Sequence, residues 1–153
     1  MHRVGVGDRA PAFTATLQDG GTFDSSGVIG RKWLVLFFYP KDDTPVCTKE
    51  ACAFRDSYEK FVEAGAEVVG VSSDSAASHA RFAARHRLPF PIIADERREL
   101  RTLFGVPATL GFLPGRVTYV IDREGVVRMV YSAMLASDGH VRRALAAVSG
   151  SPG

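Results

Sequence analysis

Trp33-Leu-Val-Leu-Phe-Phe-Tyr39, followed at once by Pro40, is an unbroken apolar run of strand length. Continuous rather than alternating apolar character marks a strand covered on both faces, so this segment belongs in the middle of a sheet. Beyond it the period changes. From 45 to 64 the apolar positions Cys47, Ala51, Phe54, Tyr58, Phe61 and Val62 fall largely three and four apart, which is one stripe of a helix. Pro45 near the start and Gly65 just past the end fit the boundaries of one helix over 45–64. A buried strand feeding a helix is the signature of an α/β fold, and the connection between them is where such folds gather chemistry.

The pattern repeats on the C-terminal side. Ala66-Glu-Val-Val-Gly-Val-Ser72 reads as a second buried strand, 75–87 as a helix, and 90–94 as a short strand whose prolines favour a sheet edge or a strand end. A short helix over 97–104 leads to a Gly- and Pro-rich loop at 105–115. Two strands, 117–122 and 126–131, then form a hairpin through Arg123-Glu-Gly125, and a helix over 138–148 precedes a frayed tail at 149–153. On the N-terminal side, Gly20-Gly21 joins Thr14-Ala-Thr-Leu17 to Thr22-Phe23 as a hairpin. The whole predicts one domain over 1–153, a mixed sheet flanked by helices with an N-terminal β-hairpin.

With 153 residues, 46% hydrophobic and 24% charged, the chain has the apolar mass for one core. Its net charge of +2 comes from arginines and lysines scattered among acids, so no nucleic-acid partner is expected. No segment approaches the roughly 18 consecutive apolar residues of a membrane helix, so no membrane partner is expected either. The start of the chain lacks an apolar run of signal-peptide length, and the expectation is a cytoplasmic or otherwise untargeted protein. The histidines His2, His79, His86 and His140 are far apart and read as core or surface residues rather than metal ligands; no metal and no cofactor is expected.

Two cysteines are too few for a disulfide-stapled scaffold, so a chemical role is the expectation to weigh. Cys47 lies in the first turn of its helix, where unpaired backbone N–H groups and the helix dipole favour a negative sulfur. An ordinary thiol is only about 3% ionised at pH 7, and the thiolate is the nucleophile. Alternatively Cys47 is a small core hydrophobe, since it lies on the apolar stripe. Cys52 shares the polar helix side with Asp56, Glu59 and Glu63. Five residues apart on an intact helix, two Cα atoms are about 8.6 Å apart and about 140° around the axis. A disulfide needs roughly 4.4–6.8 Å, so Cys47 and Cys52 can join only if the helix start unwinds.

The run Pro40-Lys-Asp-Asp-Thr44-Pro-Val-Cys47 resembles the Pro-x-x-x-Thr-x-x-Cys signature of the peroxiredoxin family, and Thr48-Lys-Glu-Ala-Cys52-Ala-Phe-Arg-Asp56 extends the likeness. The branch it resembles is peroxiredoxin Q, also called bacterioferritin comigratory protein. Leu113-Pro-Gly-Arg116-Val-Thr-Tyr-Val-Ile-Asp122 resembles the segment that carries that family's active-site arginine, and Gly7-Asp-Arg-Ala-Pro-Ala-Phe13 its usual opening. The resemblance implies a thioredoxin-like fold, Cys47 as peroxidatic and Cys52 as resolving cysteine. It further implies that Pro40 shields the thiolate, Thr44 holds the peroxide, and Arg116 polarises its oxygens and stabilises the sulfur anion, with Glu50 either bracing Arg116 or standing as a solvated helix residue. Where the branch commonly has Gly before the peroxidatic cysteine, this chain has Val46, whose branched side chain stiffens the helix start.

The implied activity is reduction of hydrogen peroxide and organic hydroperoxides, through a sulfenic acid on Cys47 and a disulfide with Cys52, recycled by thioredoxin or glutaredoxin. A monomer is the expected form. Two rival readings are a general thiol-disulfide oxidoreductase, which would use the Cys-x-x-Cys that is absent here, and a non-enzymatic redox sensor or holdase whose helix exposes Phe54 and Tyr58 on unfolding.

Overall fold

A computed structural model of the chain describes residues 3–106, 108–109, 113–135 and 137–150. Strands β1 (Thr14–Thr16) and β2 (Thr22–Asp24) pair antiparallel as the N-terminal hairpin. The central sheet comprises β3 (Trp33–Phe38), β4 (Ala66–Ser72), β5 (Ile92–Ala94), β8 (Val117–Ile121) and β9 (Val127–Ser132). Within the Gly/Pro-rich segment, β6 (Ala108–Thr109) and β7 (Leu113–Pro114) pair antiparallel, where the sequence suggested only a loop; the residues between them lie outside the described set. The helices are α1 (Pro45–Asp56), α2 (Tyr58–Glu63), α3 (Ala76–His86), α4 (Glu99–Phe104) and α5 (Ser137–Val148).

Strand order in the sheet is β5-β4-β3-β8-β9, with β3 parallel to β4 and antiparallel to β8. The apolar run at 33–39 is thus the middle strand, and its alternate residues serve two cores. Val35, Phe37 and Tyr39 pack with Phe54 of α1, Phe61 of α2, Phe82 of α3 and Ala144 of α5. Leu34, Leu36 and Phe38 pack on the other side with Phe23, Leu100 and Phe104. At the heart of the first core the Phe37 ring stacks on Phe54 at 4.4 Å and meets Phe90 edge-on at 5.5 Å. Gly70, paired with Phe37 across β4, leaves room for that ring: a Cβ there would sit 2.9 Å from it. The edge strand β5 is covered by the hairpin, through a Leu17–Ile93 bridge and a bond from Ile92 N–H to the Gln18 side chain.

The single helix expected over 45–64 is two. At Ser57 the backbone leaves the helical region (φ −100°, ψ 4°), and α2 starts with a new phase. Phe61 is thereby turned fully into the core, while Val62, read as part of the apolar stripe, is 53% exposed. Glu59 and Glu63 belong to α2, so of the three acids assigned to the side of Cys52 only Asp56 shares its helix. Gly65 follows α2 in the left-handed conformation (φ 77°) that ends a helix without side-chain strain.

Candidate active site

The chain leaves β3 at Phe38, turns through half-buried Pro40, and enters α1 at Pro45, which needs no N–H there and has its φ preset. Cys47 is the third residue of α1, and the helix supplies no acceptor for the N–H groups of Val46 and Cys47. The residue is 2% exposed. Arg116 reaches it from the segment just before β8, the strand paired with β3, donating from Nη2 to Cys47 Sγ at 3.2 Å. The same guanidinium donates from Nη1 to Glu50 Oε1 at 2.6 Å and from Nε to the Met134 carbonyl at 2.8 Å. Three fixed acceptors leave Arg116, itself 3% exposed, one orientation.

Glu50 lies one helical turn after Cys47, so both face Arg116. It is fully buried, and of its two readings the bracing one is what the structure holds. Burial pushes its carboxyl up to about 7, against the charge and hydrogen bond of Arg116, which pull it down. Consistent with a carboxyl that readily takes a proton, Oε2 has no hydrogen-bond partner among the described residues. Its neighbour at 3.5 Å is His140 Nδ1. Burial pushes His140 down to about 4, so at neutral pH it is uncharged: Nε2–H donates to the Ala133 carbonyl at 2.8 Å, and Nδ1 accepts from the Thr118 hydroxyl at 2.8 Å.

Thr44 is the N-cap residue of α1 by backbone, but its side chain does not cap. The hydroxyl donates its one proton to the Lys41 carbonyl at 2.8 Å. With that proton committed, the hydroxyl can meet a peroxide only as an acceptor. Cys52 is half-buried and both cysteines are free; α1 runs unbroken through the two of them. A cavity of about 560 Å³, lined by Ala12, Phe13, Ala94, Asp95, Leu100 and Leu103 among others, contains none of these site residues.

The loop that carries the site is held by a second buried cluster, which the sequence did not disclose. Asp42 accepts from Tyr39 Oη at 2.5 Å, Ser78 Oγ at 2.8 Å and His79 Nδ1 at 2.7 Å. His79 Nε2 lies 3.0 Å from the Ile93 carbonyl, which ties α3 to β5 beside the loop. Asp42, Asp74 and His79 have ligand atoms close enough together to suit a cation, yet the hydrogen bonds already account for their arrangement. The donors around Asp42 hold its carboxyl below the usual range despite burial. Asp42→Asn removes the carboxylate on which Tyr39, Ser78 and His79 converge, and the expected loss of stability at pH 7 is about 3 kcal/mol. Because the folded carboxyl titrates below its unfolded value, that contribution is complete above about pH 4 and disappears as the pH falls further. Denaturant unfolding of both proteins from pH 7 down to about pH 2 checks this: the gap should be wide at neutral pH and close only below about pH 4.

The chain that places a free cysteine at a helix mouth beside a buried arginine has clear relatives among known proteins. The model of the AhpC/TSA family matches residues 6–130. The chain belongs to that family, the peroxiredoxins. It is similar to chloroplastic peroxiredoxin Q of Populus jackii, 50% identical over 144 residues, covering 94% of this chain and 67% of that one. Chloroplastic peroxiredoxin Q of Oryza sativa subsp. japonica is 50% identical over the same length, with 66% of its own chain covered, so the chain spans about two thirds of these relatives. Among solved structures, peroxidoxin BcpB of Mycobacterium tuberculosis superposes with a TM-score of 0.90 at 36% identity, over 99% of this chain and 100% of that one. Peroxiredoxin Q of Xanthomonas campestris does so at 0.82 and 32%, over 90% of each. The thioredoxin-like fold and the peroxiredoxin Q kinship are thereby established, and with them a thiol-dependent peroxidase activity.

One expectation is overturned. A cytoplasmic location does not stand beside curated relatives that are chloroplastic. The missing apolar run at the N-terminus bears on secretory signals alone, because transit peptides are amphipathic and Ser- and Arg-rich.

Proposed function

We propose that Cys47 is the peroxidatic and Cys52 the resolving cysteine of this peroxidase. The observation that carries the reading is the 3.2 Å bond from Arg116 to Cys47 Sγ at the first turn of α1. The Cys47 thiolate attacks one peroxide oxygen, the O–O bond breaks, and its electron pair leaves with the other oxygen, which takes a proton to become water or an alcohol. Charge moves from sulfur to the leaving oxygen, so donors reaching both atoms lower the barrier. Arg116 and the free N–H groups of α1 are those donors, while Thr44 Oγ accepts the peroxide O–H and Pro40 closes the site toward solvent.

The sulfenic acid on Cys47 carries no charge, which weakens its tie to Arg116 and favours unwinding of the first turns of α1. Cys52 then attacks the oxidised sulfur, the S–O bond breaks, and water leaves as the Cys47–Cys52 disulfide forms. A dithiol of the thioredoxin type supplies the two electrons that restore both thiols, by exchange through a mixed disulfide. Cys52→Ser separates the halves of the cycle. The first oxidation of Cys47 should proceed at about the wild-type rate, whereas steady turnover with thioredoxin should fall at least about ten-fold and the sulfenic acid should accumulate. Undiminished turnover of Cys52→Ser with thioredoxin would remove Cys52 from the mechanism.

A further inference from the structure

Arg101 of α4 is a buried cation that the cycle above does not use. It is 5% exposed, and no carboxylate among the described residues forms a salt bridge with it. Its guanidinium instead reaches two backbone carbonyls, Nη2 donating to Tyr39 O at 2.6 Å and Nη1 to Gly115 O at 2.9 Å, while Nε has no partner among the described residues. Tyr39 immediately precedes Pro40, and Gly115 immediately precedes Arg116. These are the points where the chain leaves β3 and enters β8, adjacent strands whose ladder ends at the pair Phe38 and Val117. Beyond that pair the two strands have no further rung between them, and Arg101 takes its place.

From these contacts we infer that Arg101 is a positioning residue for the peroxidase reaction, a clamp that fixes Pro40 and Arg116 relative to each other around the Cys47 sulfur. The inference rests on the peroxidase reading of Cys47 and adds a residue to it. The clamp is itself well anchored. Asp95, 7% exposed, accepts from the N–H groups of Leu100 and Arg101 at 2.9 and 3.0 Å, which sets the start of α4. The guanidinium lies 5.6 Å from the centre of the Phe38 ring, on whose face a cation is attracted. A buried guanidinium on neutral acceptors is costly, and a neutral amide could serve a carbonyl more cheaply. Burial accordingly pulls Arg101 down to about 10, still charged at neutral pH, with Asp95 and the Cys47 sulfur among the groups that favour its charge. The arrangement makes sense where a planar two-armed donor must hold two separate segments at a fixed spacing.

A clamp of the peroxide cradle predicts a selective defect. Attack on a peroxide needs Arg116 and the loop in register with both oxygens, whereas alkylation of Cys47 by iodoacetamide needs only a thiolate within reach. In the full chain, Arg101→Met should slow oxidation of Cys47 by hydrogen peroxide about 30-fold while alkylation of Cys47, followed by peptide mass, changes no more than about three-fold. Arg101→Lys, which can serve one carbonyl at a time, should recover part of the peroxide rate without changing alkylation. A peroxide rate within two-fold of wild type in Arg101→Met, or equal losses in both reactions, would overturn the inference. If Arg101→Met does not fold, Arg101→Lys decides alone: a loss of about five-fold confined to the peroxide reaction supports the clamp, and an unchanged or parallel response contradicts it. Failure of the wild-type protein to oxidise Cys47 at all would refute the underlying assignment instead.

Discussion

Cys47→Ser is expected to abolish peroxide reduction, lowering the rate by at least about 10⁴-fold while leaving the fold intact. The magnitude follows from the chemistry. A serine hydroxyl is essentially un-ionised at neutral pH and a poor nucleophile toward a peroxide oxygen, so neither Arg116 nor the mouth of α1 has an anion to stabilise. The substitution changes little in volume at a site that is 2% exposed, so thermal unfolding should shift by only a few degrees. Peroxide consumption with thioredoxin as electron donor, measured beside a melting curve, checks both halves. A Cys47→Ser protein that keeps a substantial fraction of wild-type turnover would remove this sulfur from the reaction.

Arg116→Met should cost about 10²–10³-fold in the peroxide reaction, the scale seen when one preorganised donor to a developing charge is removed. The change also strips Glu50 of its partner at 2.6 Å, and breaking a buried pair ordinarily destabilises by about 3–5 kcal/mol. Here the loss should fall at or below the low end. Glu50 already sits at about 7 through burial, so without the guanidinium it takes up a proton rather than remaining as a bare buried anion. The double substitution Arg116→Met with Glu50→Gln then distinguishes the two effects: stability should return toward wild type while the peroxide rate stays low. Recovery of the rate together with stability would mean that Arg116 acts by holding the fold and not by touching sulfur.

The parts of the molecule written in local pattern were legible. The apolar run at 33–39 is the central strand, 66–72 is its parallel neighbour, and the hairpin, the edge position of 90–94 and α5 fall where periodicity and turn residues placed them. Cys47 and Arg116, brought forward by spacing and resemblance, do meet. The break at Ser57 escaped because serine is tolerated inside helices and the apolar spacing reads across it. Only the requirement that Phe61 enter the core shows that the phase must shift there.

What stayed hidden is the support of the site, and the reason is separation along the chain. Arg101 finds Tyr39 across 62 positions and His79 finds Asp42 across 37, so no local pattern couples them. In the sequence Arg101 stands with Arg97 and Arg98 among acids, and Asp42 stands beside Asp43 in a polar loop, both resembling solvated charge. The proton of Thr44 was equally unreadable, since its acceptor is a backbone carbonyl three residues back, placed by the turn and by no side chain.

The most direct measurement is the mass and peptide map of the wild-type protein after one equivalent of hydrogen peroxide. Loss of two hydrogens, with the peptides of residues 47 and 52 recovered as one cross-linked species within a single chain, is the result expected of a sulfur anion at the mouth of α1 resolved by its neighbour. Two intact thiols with the peroxide still present, or oxygen found on other residues while Cys47 stays reduced, would contradict it.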